Sequence, residues 1–246
     1  MSLRNLLGSA CEQIIHSRQM VAWRMQDVGE ATRRIYHRVA PYTMTSPERI
    51  AAVCDAIRYV VDANIPGAYV ECGVWRGGSS MAAALTLIEA GDRARELRLF
   101  DTFEGMTTPS AHDVRASDNS HAGRLLKGSK KSEKIWCRAS IDDVMANMAS
   151  TGYPADKIVL CRGMVEETLP SQAPERIAVL RLDTDWYEST KHELETLYPR
   201  LSPGGVLIID DYGYWAGARK AVDDYFAERP ILLNRVDRTG RIAVKL

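Results

Sequence analysis

From Ala68 onward the sequence alternates short apolar, β-branched runs with helix-patterned segments, and three of the runs end directly in aspartate. The strand-like runs are Ala68 to Cys72, Leu97 to Phe100, Ile158 to Cys161, Ile177 to Leu182 and Val206 to Ile209. Helical segments lie at Ser79 to Ala90, Ser140 to Ala149, Tyr187 to Tyr198 and Ala216 to Ala227. Runs that are apolar throughout, rather than at every second residue, belong to strands buried on both faces. Alternation of such strands with helices gives a parallel sheet covered on both sides. Leu232 to Val236 and Arg241 to Lys245, joined through Arg238-Thr239-Gly240, read as a closing hairpin. The expected fold class is therefore α/β: a doubly wound, mostly parallel seven-stranded sheet with an antiparallel C-terminal hairpin strand, plus N-terminal helices.

Ahead of the alternation, residues 1–39 carry helical apolar spacing (Leu3, Leu6, Leu7, Ile14, Ile15, Met20, Val21, Met25) with an interruption near Gly29. A further helix opens at Ser46-Pro47, with Ser46 as N-cap and Pro47 at the first helical position, and runs to about Ala63. The expected organisation is a helical extension over 1–45 and one α/β domain over 46–246. Within that domain residues 104–135 fit no element well; they are polar and include Pro109, His112, Asp113, Asp118, His121 and several lysines. A loop of that length in a compact domain is usually functional, so it is expected to be a lid over the site.

Bulk properties narrow the function. Lys+Arg and Asp+Glu are both 32, so the basic excess of a nucleic-acid binder is missing. No apolar run approaches the ~20 residues of a membrane span, and Met1 to Arg24 lacks the apolar core of a secretory signal. The five cysteines (Cys11, Cys54, Cys72, Cys137, Cys161) form no CxxC pair or zinc spacing, which suits a reducing cytoplasm. The expected partner is a small molecule.

Three motifs carry chemistry. Glu71-Cys72-Gly73-Val74-Trp75-Arg76-Gly77-Gly78 joins a strand to a helix, where glycines let backbone approach a ligand. It is not the GxGxxG loop that cradles a pyrophosphate. A carboxylate ahead of its first glycine disfavours a diphosphate and suits a ligand with ammonium or sulfonium charge, such as S-adenosylmethionine. Asp101, ending the next strand, is placed to accept the ribose hydroxyls of a nucleoside. Asp183-Thr184-Asp185 and Asp210-Asp211 end two neighbouring parallel strands, so three or four carboxylates converge at one sheet edge. Their mutual repulsion is relieved by a bound cation, and an all-oxygen set suits Mg2+ or Mn2+. Asp185 is alternatively the N-cap of the helix that begins at Tyr187.

These motifs, with Leu180-Arg181-Leu182-Asp183-Thr184-Asp185-Trp186-Tyr187-Glu188-Ser189-Thr190, Tyr198-Pro199-Arg200-Leu201-Ser202-Pro203-Gly204-Gly205 and Ile209-Asp210-Asp211-Tyr212, resemble the macrocin O-methyltransferase (TylF) family from about Tyr42 onward. The resemblance implies a Rossmann-like class I methyltransferase fold and Mg2+-dependent transfer, with deoxysugar hydroxyls on antibiotic-type natural products as typical acceptors. It places the metal on Asp183, Asp210 and Asp211. It places the cofactor on Thr43, Met44, Glu71, Gly73, Asp101 and Ser140, and it proposes Asp183 as general base. Catechol-type relatives carry a lysine three residues after the first metal aspartate; here that position is Trp186.

In the expected mechanism a cation-polarised hydroxyl loses its proton to Asp183 or Asp185 and attacks the sulfonium methyl. Trp75, Trp186, Tyr212, Tyr214 and Trp215 offer faces for stacking on a sugar or for packing under the lid. A phenol or aglycone hydroxyl is the alternative acceptor. An NAD(P)-dependent oxidoreductase and a non-catalytic nucleoside binder are the rivals; the loop sequence disfavours the first and the carboxylate set disfavours both. A homo-oligomer is expected, with residues 1–39 as one possible interface.

Overall fold

The computed structural model describes residues 18–131 and 134–246; the helical expectation for residues 1–17 lies outside them. Helices α1 (Arg18–Arg24) and α2 (Glu30–Val39) are separated at Gly29, as the sequence spacing requires. Helix α3 (Pro47–Asp62) is capped by Ser46, whose hydroxyl accepts from the Arg49 N–H at 3.2 Å, with Pro47 in its first turn. Strands and helices then alternate: β1 (Ala68–Cys72), α4 (Gly78–Glu89), β2 (Leu97–Asp101), α5 (Ala122–Lys127), α6 (Ile141–Ala149) and β3 (Ile158–Arg162). The order continues with α7 (Val165–Gln172), β4 (Ile177–Leu182), α8 (Tyr187–Leu197), β5 (Leu201–Ile209), α9 (Ala216–Phe226), β6 (Asn234–Arg235) and β7 (Arg241–Val244).

The seven strands form one sheet in the order β3-β2-β1-β4-β5-β7-β6. The first five are parallel, and β7 runs antiparallel to β5 and to β6. The expected architecture is therefore the one observed. Side chains alternate between two cores. Tyr69, Leu97, Leu99, Val206 and Ile208 pack with the apolar faces of α1 to α4 and α6. Val70, Phe100, Leu180, Leu207 and Ile209 pack with α7, α8 and α9. Among the described residues no helix is long and apolar enough to cross a membrane.

The differences from the sequence reading are local. Residues 104–135 hold a helix, α5, whose Ala122 and Leu126 are buried in a third small core with Trp186, Trp215 and Ala218. The same segment pairs with itself at Val114 and His121 and with the α9 entrance at Arg115 and Trp215. It is docked structure. Helix α7 was unforeseen, because eight residues containing Pro170 show little periodicity. Strand β5 begins at Leu201 rather than Val206: Leu201 pairs with Ile177, and a register shift absorbs Ser202 to Gly205.

Candidate active site

The sheet order reverses beside β1, with β2 and β3 on one side and β4 and β5 on the other. In open α/β sheets ligands bind in the crevice outside the carboxyl ends of the strands at such a reversal. A cavity of about 880 Å3 lies there, lined by Thr43, Met44, Glu71, Gly73, Asp101, Asp183, Asp185, Asp210 and Asp211 among others. The structure thus gathers every sequence-predicted site residue except Ser140 around one space. Ser140 lines an adjoining pocket of about 480 Å3 with Trp75, Phe103, Lys131, Lys134 and Arg138. Its hydroxyl caps α6, accepting from the Asp143 N–H at 3.2 Å.

The β1 and β4 tips touch. Gly73 has φ +82°, and a Cβ there would sit 2.1 Å from the Asp183 carbonyl oxygen. Any side chain would force the two strand ends apart. The Asp183 N–H donates to the Cys72 carbonyl at 2.8 Å, and the Asp210 N–H donates to Leu182 at 3.0 Å. The three tips are therefore tied by main-chain bonds. Trp75, Phe103, Cys137 and Asp185 all have positive φ (48°, 55°, 45° and 72°) and all line the cavity or the adjoining pocket. Non-glycine residues held there cost roughly 1–3 kcal/mol each, and such strain clusters at functional sites.

Asp101 does more than face a ligand. Its carboxylate accepts from the N–H groups of Val74 at 2.7 Å, Trp75 at 3.0 Å and Phe103 at 2.7 Å. It fixes the glycine loop and its own loop together. Burial pushes its carboxyl up, opposed by those three main-chain donors.

Glu71 departs from its expected role. It is 1% exposed, and its charge is met from within the chain by Arg181 at 2.7 Å, with Tyr69 donating at 2.9 Å and Ser80 also donating. A carboxylate so compensated supports the loop; it does not select a cation by itself. Arg181 is the centre of this network. Its guanidinium donates to Glu71, to Asp183 at 2.8 Å, to Asp210 at 2.6 Å and to Thr45 at 3.1 Å. The other Asp210 oxygen accepts from Arg49, which also holds Asp237 at 3.1 Å.

This separates the four aspartates. Both Asp210 oxygens are occupied by guanidinium groups, so the expected set of Asp183, Asp210 and Asp211 is not the one whose ligand atoms meet. Those of Asp183, Asp185 and Asp211 lie within 4.8 Å of one another. Nor does Asp185 cap α8: the buried Asp113 of the 104–135 segment accepts from the Tyr187 N–H at 2.8 Å instead. Burial pushes the Asp185 carboxyl up to about 7, against the lowering effect of its hydrogen bond with Asp211, and the charges of Asp183 and Asp210 add to the rise. Burial also holds Asp183 and Asp211 well above the usual carboxylate range; Arg181 opposes this at Asp183, and the Asp185 charge reinforces it at Asp211. Oxygen-rich, mutually repelling and partly buried, the three fit a hard divalent cation.

Arg49, Asp113, Arg181 and Asp237 were missed by the sequence reading. Arg181 had a signal: it is the charged residue inside the fully buried run Ile177–Leu182, where burial demands a partner. Of the histidines in the 104–135 segment, His112 is exposed and packs against Tyr187 with ring centroids 4.6 Å apart and planes tilted by 52°, and His121 is exposed. Trp186 and Trp215 pack edge to face at 5.0 Å against Ala122 and Leu126, and the Trp186 indole N–H donates to the Thr107 carbonyl at 3.3 Å.

A doubly wound sheet with an acidic glycine loop at β1, a carboxylate ending β2 and an aspartate cluster at the β4 and β5 tips defines an S-adenosylmethionine-dependent methyltransferase. Residues 6–243 match the macrocin-O-methyltransferase (TylF) family, and the chain belongs to that family of O-methyltransferases. It is 38% identical over 206 residues to the 8-demethyl-8-(2,3-dimethoxy-alpha-L-rhamnosyl)-tetracenomycin-C 4'-O-methyltransferase of Streptomyces olivaceus, covering 81% of this chain and 74% of that protein. It is 33% identical over 203 residues to the mycinamicin III 3''-O-methyltransferase of Micromonospora griseorubida, covering 81% and 76%. Among solved structures, the O-methyltransferase NovP superposes with a TM-score of 0.71 at 29% identity, over 83% of this chain and 82% of that one.

Proposed function

We propose that this enzyme methylates a hydroxyl of a glycosylated natural product, a deoxysugar hydroxyl on an antibiotic-type glycoside, with the help of Mg2+ or Mn2+. The observation that carries the reading is the convergence of Asp183, Asp185 and Asp211 at the β4 and β5 tips, directly against the Gly73 turn. The two relatives above support the acceptor class, since one is named for a rhamnosyl tetracenomycin and the other for mycinamicin III.

The donor methyl is already activated as a sulfonium, so the protein's task is to orient the reactants and remove one proton. Thr43, Met44, Gly73 and Asp101 form the donor side of the cavity, with Glu71 supporting them through Arg181. Ser140, in the adjoining pocket, borders the same side. Asp183 and Asp211 would hold the cation, and Asp185 would accept the proton. When bound, the cation supplies Lewis acidity that stabilises the oxyanion forming on the acceptor. Asp185 suits the acceptor role because a cation-ligating carboxylate is a weak base, and an Asp185 oxygen lies within 4.8 Å of those of Asp183 and Asp211. Residues 46–246 form the catalytic domain, and the 104–135 segment is the lid that excludes water from the reaction.

Calorimetric titration with Mn2+, followed by turnover on a panel of desmethyl glycosides and their aglycones, tests this. Asp183→Asn and Asp211→Asn are expected to lose Mn2+ binding and turnover together. Asp185→Asn is expected to keep Mn2+ and lose roughly 10²–10⁴ in kcat, the usual contribution of a general base. Full turnover after exhaustive chelation, or methylation of aglycones in preference to glycosides, would overturn the corresponding half of the reading.

A further inference from the structure

The Arg181 guanidinium touches both halves of the site. One nitrogen, Nη1, donates to Glu71 beside the donor loop and to Asp183 in the cation cluster. The other, Nη2, donates to Thr45, next to Met44 in the donor-side connector, and to Asp210 at the β5 tip. The side chain is 1% exposed, so these bonds cannot be traded for water. A planar fork with fixed donor directions transmits displacement: a shift of Asp183 toward a cation pulls the same nitrogen that orients Glu71. Asp210 is further braced by Arg49, which is anchored to Asp237 and Ser46. One end of the network is thus fixed. Glu71 is likewise held by Tyr69 and Ser80, so Asp183, the partner that borders the open cavity, is the end free to respond.

We propose that Arg181 is a positioning residue that couples cation binding to donor binding, so that each ligand prepares the other's half of the pocket. The idea rests on the cation reading above. Coupling between sites is reciprocal: whatever factor the cation adds to donor affinity, the donor adds to cation affinity. In an empty cluster Arg181 is the cationic partner of Asp183, beside its hydrogen bond with Asp211. Once a cation takes up Asp183, the guanidinium is left to Glu71, Asp210 and Thr45, which fixes the donor loop and connector. Lysine at position 181 keeps the charge but lacks the fork, and methionine keeps the bulk but neither.

The test is a thermodynamic cycle by calorimetry on the full chain, with Mn2+ and S-adenosylhomocysteine as probes. S-adenosylhomocysteine lacks the sulfonium charge, so direct repulsion of the cation is removed from the measurement. In the wild-type protein Mn2+ is expected to tighten S-adenosylhomocysteine at least about fivefold, the lower end of ordinary coupling, and the reverse titration should return the same factor. Arg181→Met should bring the factor to within about twofold of one, and Arg181→Lys should fall between. Glu71→Gln removes the charge of the donor-side arm and keeps the guanidinium, so it should also lose part of the factor; it serves if Arg181→Met does not fold. A factor of one in the wild type, or an undiminished factor in Arg181→Met and Glu71→Gln, refutes the coupling. Absence of Mn2+ binding to the wild type is a different result: it removes the cation reading, and this inference with it.

Discussion

A single methyl group at position 217 should unseat the lid. Gly217 lies in the first turn of α9, and a Cβ there would sit 1.8 Å from Asp113 Oδ1 and 3.2 Å from the Tyr187 N–H. Asp113 is fully buried, and it joins the 104–135 segment to α8: it accepts from the Tyr187 N–H at 2.8 Å, capping α8 two residues after Asp185, and from the Ser110 N–H at 2.6 Å. In Gly217→Ala the carboxylate must move. Loss of a capping bond costs about 1 kcal/mol and insertion of a methyl into a packed site about 1–3 kcal/mol, so about 2–4 kcal/mol of stability is expected to go. At this chain length that corresponds to a fall of about 5–15 °C in Tm. The decisive assay is a double-mutant cycle with Asp113→Ala, read by denaturant unfolding and thermal melts. With the carboxylate gone the 1.8 Å clash is gone, leaving only the 3.2 Å approach to the Tyr187 nitrogen, and alanine in a helix is favoured over glycine by about 1 kcal/mol. Gly217→Ala should therefore be neutral or stabilising in the Asp113→Ala background, a reversal of sign. The same cost in both backgrounds would refute the account and place the damage elsewhere in α9.

Three further outcomes follow from buried groups. Glu193 is fully buried, and burial holds its carboxyl well above the usual range against the lowering effect of Thr184 and Cys72. A raised folded pKa gives stability below the unfolded value that is lost as pH rises, so Glu193→Gln should match wild type near pH 4 and become increasingly more stable toward pH 8; parallel Tm curves across that range would contradict this. For Asp237 burial raises the carboxyl, but Arg49 and the Gly240, Ser46 and Thr239 donors outweigh it and hold it at about 2. That depressed value contributes stability above about pH 4 that disappears as pH falls through 2, so Asp237→Asn should be destabilised at pH 7 and converge on wild type in acid unfolding. Gly73→Ala, by separating the β1 and β4 tips, should abolish S-adenosylhomocysteine binding in calorimetry; retained affinity would mean that the close approach to Asp183 is dispensable.

Strand positions were readable because each of the five parallel strands carries a short, mostly apolar run, and a carboxylate at the end of such a run lies at the sheet edge. Asp101, Asp183, Asp210 and Asp211 fell into place for that reason. What the sequence leaves open is how charge is shared among residues far apart in the chain. Nothing near Asp210 announces Arg49, which is 161 positions away, and nothing near Tyr187 announces Asp113, 74 positions away in a polar segment. The lid misled for the same reason. Its Ala122 and Leu126 find their partners on Trp186, Trp215 and Ala218, so a six-residue helix with two buried side chains carries no periodicity of its own.

The arginines explain which carboxylates remain for a cation. Glu71, Asp183, Asp185, Asp210 and Asp211 crowd one cavity wall, and without compensation burial would drive them toward the neutral acid. Arg181 and Arg49 divide them. Glu71 and Asp210 are fully engaged, with Asp237 held on the far side of Arg49. Asp183 is shared between Arg181 and the open side of the cavity, while Asp185 and Asp211 turn to each other. Guanidinium charge is thus concentrated on Glu71 and Asp210, shared with Asp183, and given no hydrogen bond to Asp185 or Asp211 among the described residues. Moving one arginine changes which group is which: Arg49→Met frees an Asp210 oxygen, and the added ligand should raise Mn2+ affinity while the loss of the Asp237 anchor lowers stability. Affinity and stability falling together would show instead that Asp210 has no reach into the cluster, whatever its partners.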